Sequence, residues 1–180
     1  SFHTMKNMTT LGQGGMVTEP PPFLQVSLPV VLDLPPFGFL GEGTRRAMAL
    51  AAERLETVAV ATGEEARGLL EPWRDRLIVR FDPASDDISA LEGIRIVELD
   101  GSGDTLDQMK AVRDAHPGII VSARVGLDEN AADRTVELAV GGVDILHLQA
   151  GLNGNGLGKE ADRFITDILH DIHMRLVEES

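Results

Sequence analysis

The feature that most constrains this chain is a repeated alternation of short β-rich runs with helical segments, which begins at Pro29 and continues to the end of the sequence. The β-rich runs are Pro29–Leu34 (PVVLDL), Thr57–Thr62 (TVAVAT), Arg76–Phe81 (RLIVRF), Ile94–Leu99 (IRIVEL), Ile119–Val125 (IIVSARV) and Val143–Gln149 (VDILHLQ). Between and after them lie helical segments at Thr44–Glu56, Glu64–Trp73, Asp104–His116, Glu129–Gly142 and Ala161–Glu178, with a weaker helical turn in SDDISAL. Strict alternation of this kind predicts parallel strands joined by right-handed crossovers, with helices covering the sheet. Two architectures fit a repeat of roughly 25 residues: an open doubly wound sheet, or a TIM-type (βα) barrel with about six of its eight units.

Polar residues near the strand ends favour the barrel. Thr62, Arg80, Glu98, Arg124 and His147 each share a face with the residue two positions earlier: Val60, Ile78, Ile96, Ser122 and Ile145. In a barrel the carboxyl ends of the strands form the mouth, where polar side chains emerge. In a doubly wound sheet both faces are covered by helices, and charge there is costly. A purely structural reading is also open, in which Arg80, Glu98 and Arg124 form an ion-pair network closing the top of the core.

Within the helices, periodicity predicts which side faces the sheet. Ala47, Met48, Ala51 and Leu55 share one face of the first helix, with Thr44 as its N-cap. Leu106, Met109 and Val112 face inward from the fourth segment, where Asp104 is the expected cap. The last helix carries an apolar stripe of Phe164, Ile165, Ile168, Leu169, Ile172 and Leu176.

The chain has 180 residues, 43% of them hydrophobic, which suits a single domain with a real core. Residues 1–28 are read as a tag remnant followed by an extended arm, and residues 29–180 as the incomplete barrel. The opening SFHTMKNM resembles a cloning remnant before a start at Met5 or Met8, and TEPPPF can neither continue a helix nor sit inside a sheet. An incomplete barrel leaves its first and last strands unpaired. The arm at Leu11–Phe23, a second copy of the chain or another subunit is therefore expected to cover them.

A net charge of −13 repels nucleic-acid phosphates and anionic membranes, so neither is an expected partner. Without cysteine the chain cannot form disulfides or hold thiolate-ligated zinc or an iron–sulfur cluster. No apolar run approaches the roughly 20 residues of a membrane span, and a cytoplasmic protein is the default expectation.

The loop after the last strand, AGLNGNGLG, raises a question of its own. Glycines there could bring backbone amides up to a phosphate. Yet Asn153 stands where a Walker-type loop needs its first glycine, and Lys159 where a dinucleotide fingerprint needs its third. A turn rich in Asn and Gly is the preferred reading. His170 and His173 are three apart on the last helix, and are read as a solvated flank rather than a metal pair. His147 is either a satisfied core residue or a mouth residue touching ligand. No nucleophile motif is present, and catalytic residues are not assigned.

Several segments, taken in order, resemble the FMN-binding barrel domain of the glutamate synthase family, especially its short archaeal-type relatives. PVVLDLPPFGFLGEGTRRAMALAAERL is similar to that family's first strand, loop and helix, and VAVATGEEA keeps Thr62, Gly63 and Glu64 of its Asn-Thr-Gly-Glu-Gly-Gly segment. IIVSARVG resembles Val-Ser-Val-Lys-Leu, with Arg124 at the lysine, and GGVDILHLQAGLNGNG resembles a later loop. The likeness extends from Pro29 to Ser180. It implies an FMN-dependent oxidoreductase barrel, as a fragment or degenerate relative, with Thr62, Gly63, Glu64, Arg80, Glu98, Arg124, His147 and Gln149 near the cofactor. The family's glycine-and-lysine loop is replaced by DGSGD. The alternative is a non-catalytic barrel-derived subunit that binds a protein partner or a small ligand.

Overall fold

In the computed structural model, residues 22–35 and 40–179 are described. Six strands form one sheet: β1 (Val31–Leu32), β2 (Val58–Thr62), β3 (Leu77–Arg80), β4 (Ile96–Asp100), β5 (Ile120–Gly126) and β6 (Ile145–Gln149). Helices α1 (Glu42–Arg54), α2 (Gly63–Arg67), α3 (Thr105–Ala115), α4 (Ala131–Val140) and α5 (Ile165–Glu178) alternate with them, and short 3-10 turns fall at Glu71–Arg76, Ile88–Leu91 and Gly158–Glu160. Each strand pairs in parallel with the next, in the order β1-β2-β3-β4-β5-β6. A doubly wound sheet would reverse its order at a switch point. Here the sheet instead curls into a half-barrel, a partial TIM-type fold.

The inner strands β2 to β5 read as near-continuous aliphatic runs because both of their faces are largely buried. On the outer face Ala59, Ala61, Leu77, Val79, Val97, Leu99 and Val121 pack against Ala49 and Ala52 of α1, Ala66 of α2, and Met109 and Val112 of α3. Further along, Ala123 and Val125 pack against Leu138 of α4 and Ile168 and Ile172 of α5. Each fully buried aliphatic contributes about 1.5–3 kcal/mol relative to exposure. On the inner face Val58, Val60, Ile78, Ile96 and Ile120 form a second, smaller cluster, with Leu24 packed on it.

Leu24 belongs to the segment leading into β1, which runs beneath the amino ends of the strands. Arg95 Nη2 donates to the Phe23 carbonyl at 2.9 Å, Ser27 N donates to the Glu56 carbonyl at 2.9 Å, and Thr57 Oγ1 donates to the Leu28 carbonyl at 3.2 Å. The expected tag residues, and all but the last two residues of the Leu11–Phe23 arm, lie outside the described residues. β1 and β6 are the outer strands, and Ile145 of β6 is 40% exposed.

Four local expectations need correction. α1 starts earlier than Thr44, with Gly41 as its N-cap, because the Gly41 carbonyl already accepts from Thr44 N and Arg45 N at 3.0 and 3.2 Å. Its buried side is Arg45, Ala49 and Ala52, whereas Ala47 and Leu55 are exposed. The helix is rotated because Arg45 has a charged partner to reach, Glu65. In α5, Ile168 and Ile172 are buried, but Phe164 and Leu169 remain 53% and 37% exposed, so the stripe is narrower than its periodicity. Asp104 sits at the N-cap of α3 without a capping side-chain hydrogen bond. Among the described residues, no helix is long and apolar enough to cross a membrane.

Candidate functional site

Parallel register stacks the inner face in levels. Val60, Ile78, Ile96 and Ile120 are aligned across β2 to β5 and form an aliphatic floor. One step toward the carboxyl ends, Thr62, Arg80, Glu98, Ser122 and Ile145 are aligned. One step further, Asp100, Arg124 and His147 are aligned on β4, β5 and β6. Polarity rises along the strands, and the third level is made entirely of ionisable side chains.

Glu98 is the centre of this arrangement and is only 3% exposed. Its Oε1 accepts from Arg80 Nε at 3.0 Å, and its Oε2 lies 2.6 Å from His147 Nδ1. Arg80 Nη2 also donates to both carboxylate oxygens of Asp33, at 3.0 and 2.9 Å, just past β1. A buried carboxylate is tolerable only when its oxygens are paired, and here both are. Burial pushes the Glu98 carboxyl up. The hydrogen bonds from His147 and Arg80, with their charges, outweigh it and hold the group below its ordinary value. The same bond, helped by the charges of Glu98 and Asp33, raises His147 against the opposing effect of burial.

Beside this chain of charges lies a cleft of about 420 Å³, lined by Arg80, Phe81, Asp82, Glu98, Asp100, Gln108 and Arg124 among others. Asp100 is held below its ordinary range first by the Ser102 amide, which donates to Oδ1 at 3.0 Å, and also by the nearby Arg124 and Arg134. A second cleft of about 460 Å³ lies among Arg67, Arg74, Ser85, Asp87, Ser89 and Glu92, away from the inner-face levels. Among the described residues, no group of three or more His, Asp or Glu side chains could hold a metal ion.

Of the eight residues expected near a cofactor, Arg80, Glu98 and His147 are bound together. Arg124 is next to His147 in register but outside the hydrogen-bonded chain. The expected Arg80–Glu98–Arg124 network is therefore corrected: the strand stagger puts Ser122, not Arg124, opposite Glu98, and His147 takes the second carboxylate oxygen. Thr62 caps α2 instead, in a reciprocal box with Glu65. Gly63 is buried at the start of α2, while Glu64 and Gln149 are exposed. The Thr-x-x-Glu spacing was a readable signal for that capping box. Asp33 was missed because its partner Arg80 is far away in sequence.

The Val143–Glu160 segment resolves into a strand and a self-bonded turn. Gly151 N donates to the Asn155 carbonyl at 2.7 Å, Gly154 N to the Gly151 carbonyl at 3.0 Å, and Gly156 N to the Arg163 carbonyl at 2.9 Å. Gly154 has φ 76° and Gly158 φ 57°, the left-handed region that glycine enters without strain. The amides of Gly151, Gly154 and Gly156 are thus spent on backbone carbonyls rather than offered to a phosphate.

No protein-family model matches this chain, and no curated protein matches it. A solved structure that does match is described as QR15, an aldolase. It is 14% identical, with a TM-score of 0.48, over 83% of this chain and 85% of that one. The resemblance to the FMN-binding barrel of the glutamate synthase family is thus overturned, and the oxidoreductase reading and its barrel-derived binding-subunit alternative are withdrawn with it. The resemblance rested on strand order and spacing, which parallel (βα) folds share whatever their chemistry.

Proposed function

We propose that the carboxyl end of the half-barrel is an acid–base catalytic site, with His147 as the proton-transfer residue acting on a small polar molecule in the adjoining cleft. The observation that carries this reading is the 2.6 Å contact between His147 Nδ1 and the buried Glu98. A carboxylate fixed on Nδ1 orients the ring, stabilises the imidazolium and leaves Nε2 as the atom that exchanges a proton. Glu98 is itself fixed by Arg80, and Arg80 by Asp33, so the imidazole is positioned by residues from three separate segments. The His147 side chain keeps one-third of its surface exposed, and access to the ring is what a proton-transfer residue requires.

In the step proposed, neutral His147 accepts a proton at Nε2 from a hydroxyl or an activated C–H of the substrate. The resulting imidazolium is held by Glu98, its Nε2 proton exchanges with solvent, and a solvent-derived proton is returned to the product. Glu98, Arg80 and Asp33 are positioning residues. The test is deuterium incorporation from D2O into a panel of small hydroxy and oxo compounds, followed by proton NMR. Exchange of at least one compound, lost in His147→Gln and reduced in Glu98→Gln, is the expected result. Exchange of equal rate in His147→Gln, or none across the panel, sinks the reading.

A further inference from the structure

We propose that Arg124 is the anion-recognition residue of this site, and that the ligand it recognises carries a single carboxylate. The inference rests on reading the cleft as a substrate site. Among the described residues, no hydrogen bond or ion pair is made by Arg46, Arg54 or Arg124, whereas Arg45, Arg67, Arg76, Arg80, Arg95, Arg113, Arg134, Arg163 and Arg175 each make one and Arg74 has a contact of its own. Arg46 and Arg54 are exposed on α1, where water solvates them. Arg124 is half-buried and lines the cleft. A guanidinium offers five N–H donors in a planar fork that matches a carboxylate, and partial burial beside Asp100 but without a hydrogen bond leaves those donors unused. Arg80, the other arginine of the cleft, is committed to Glu98 and Asp33.

Position adds a second argument. Arg124 and His147 are register partners on β5 and β6, and neighbouring strands lie about 4.8 Å apart. The two side chains therefore rise from the same level of the inner face; Arg124 lines the cleft, and His147 reaches it through Glu98, which lines it as well. The charge of the cleft decides which anion fits. Glu98 is neutralised by its partners, but Asp82 and Asp100 bring two further carboxylates to the cleft: Asp82 accepts from neutral groups, Ala84 N and Ser85 Oγ, and Asp100 from Ser102 N, with Arg124 and Arg134 near it. The two carboxylates repel a phosphate dianion about twice as strongly as a monoanion, because Coulomb energy scales with charge.

The test uses the full chain and three probes: lactate, its uncharged methyl ester, and inorganic phosphate. Arg124 Nε–Hε resonances are followed by NMR. Lactate should shift the Arg124 signal saturably and the ester should not, while phosphate should bind more weakly than lactate. Overall lactate affinity, read from ligand-observed NMR, should fall about tenfold or more in Arg124→Gln and stay unchanged in Arg163→Gln, a surface control. Equal response to the ester, unchanged affinity in Arg124→Gln, or tighter binding of phosphate each overturns the assignment. His147→Gln separates the two readings. Lactate binding that survives there, without deuterium exchange in the wild type, keeps Arg124 as an anion site and removes the catalytic role. Exchange with no carboxylate preference removes Arg124 and keeps His147.

Discussion

His147 Nδ1 lies 2.6 Å from Glu98 Oε2 although 49 residues separate them in sequence, and the bond ties β6 to β4 across β5. Two titrating groups that hold each other this way make stability depend on pH from both sides.

The Glu98 carboxyl is held below its ordinary 4.5, so its contribution is present above about pH 4.5 and is lost as pH falls through the lowered value. His147 is raised above its ordinary 6.5, so its contribution is complete below about pH 6.5 and is lost as pH rises through the raised value. The pair therefore stabilises the fold most between those limits. Thermal melts from acid to alkaline pH should show a loss on the alkaline side that disappears in His147→Gln. An identical alkaline loss in the variant would show that other groups carry it.

Glu98→Gln removes the charge that satisfies Arg80 and His147. Arg80 keeps Asp33, and His147 can deprotonate, so the loss is expected at about 1–3 kcal/mol rather than the larger figure for an isolated buried charge. The His147 imidazole should then titrate at lower pH, as read from its ring proton shifts. Chemical denaturation measures the first effect and NMR the second.

Gly101 sits where β4 turns toward α3, with its amide donating to the Arg124 carbonyl at 2.8 Å. A Cβ added there would lie 2.6 Å from that carbonyl and 2.8 Å from Val125 Cγ2. Backbone cannot yield as a flexible side chain does. Gly101→Ala is expected to destabilise the chain by about 1–3 kcal/mol and to weaken lactate binding by displacing β5. A melting temperature equal to wild type would refute the packing argument.

Arg45 is 3% exposed and links α1 to the end of β2, donating to Glu65 at 2.6 Å through Nε and to the Val60 carbonyl at 2.8 Å through Nη2. Arg45→Met keeps much of the packing but strands Glu65, whose side chain is 23% exposed and retains Thr62 as a partner. A loss of about 1–3 kcal/mol is expected in urea unfolding. Combining it with Glu65→Gln should restore part of that loss, a non-additivity that a double-mutant cycle would detect.

The order of elements, their parallel pairing and the curl of the sheet were legible in the sequence, because hydrophobic period and turn chemistry are local properties. Val58–Thr62 and Ile120–Gly126 form strands close to where their β-branched runs lie, and Leu138, Ile168 and Ile172 face the core as their helical spacing requires. Even the polar strand ends could be read. What only the tertiary structure decided is which of those ends meet. Thr62, Arg80, Glu98, Arg124 and His147 occupy equivalent places on successive strands, yet the stagger between strands lifts Arg124 and His147 one level above Glu98. Arg124 is consequently left without an ion pair, and His147 reaches down to the buried carboxylate that spacing had assigned to Arg124. Stagger follows from how helices and strands pack over the whole sheet, and no local run of residues encodes it. Arg45 follows the same logic: it lies on the buried face of α1 because a carboxylate 20 residues away, on another helix, pairs with it there.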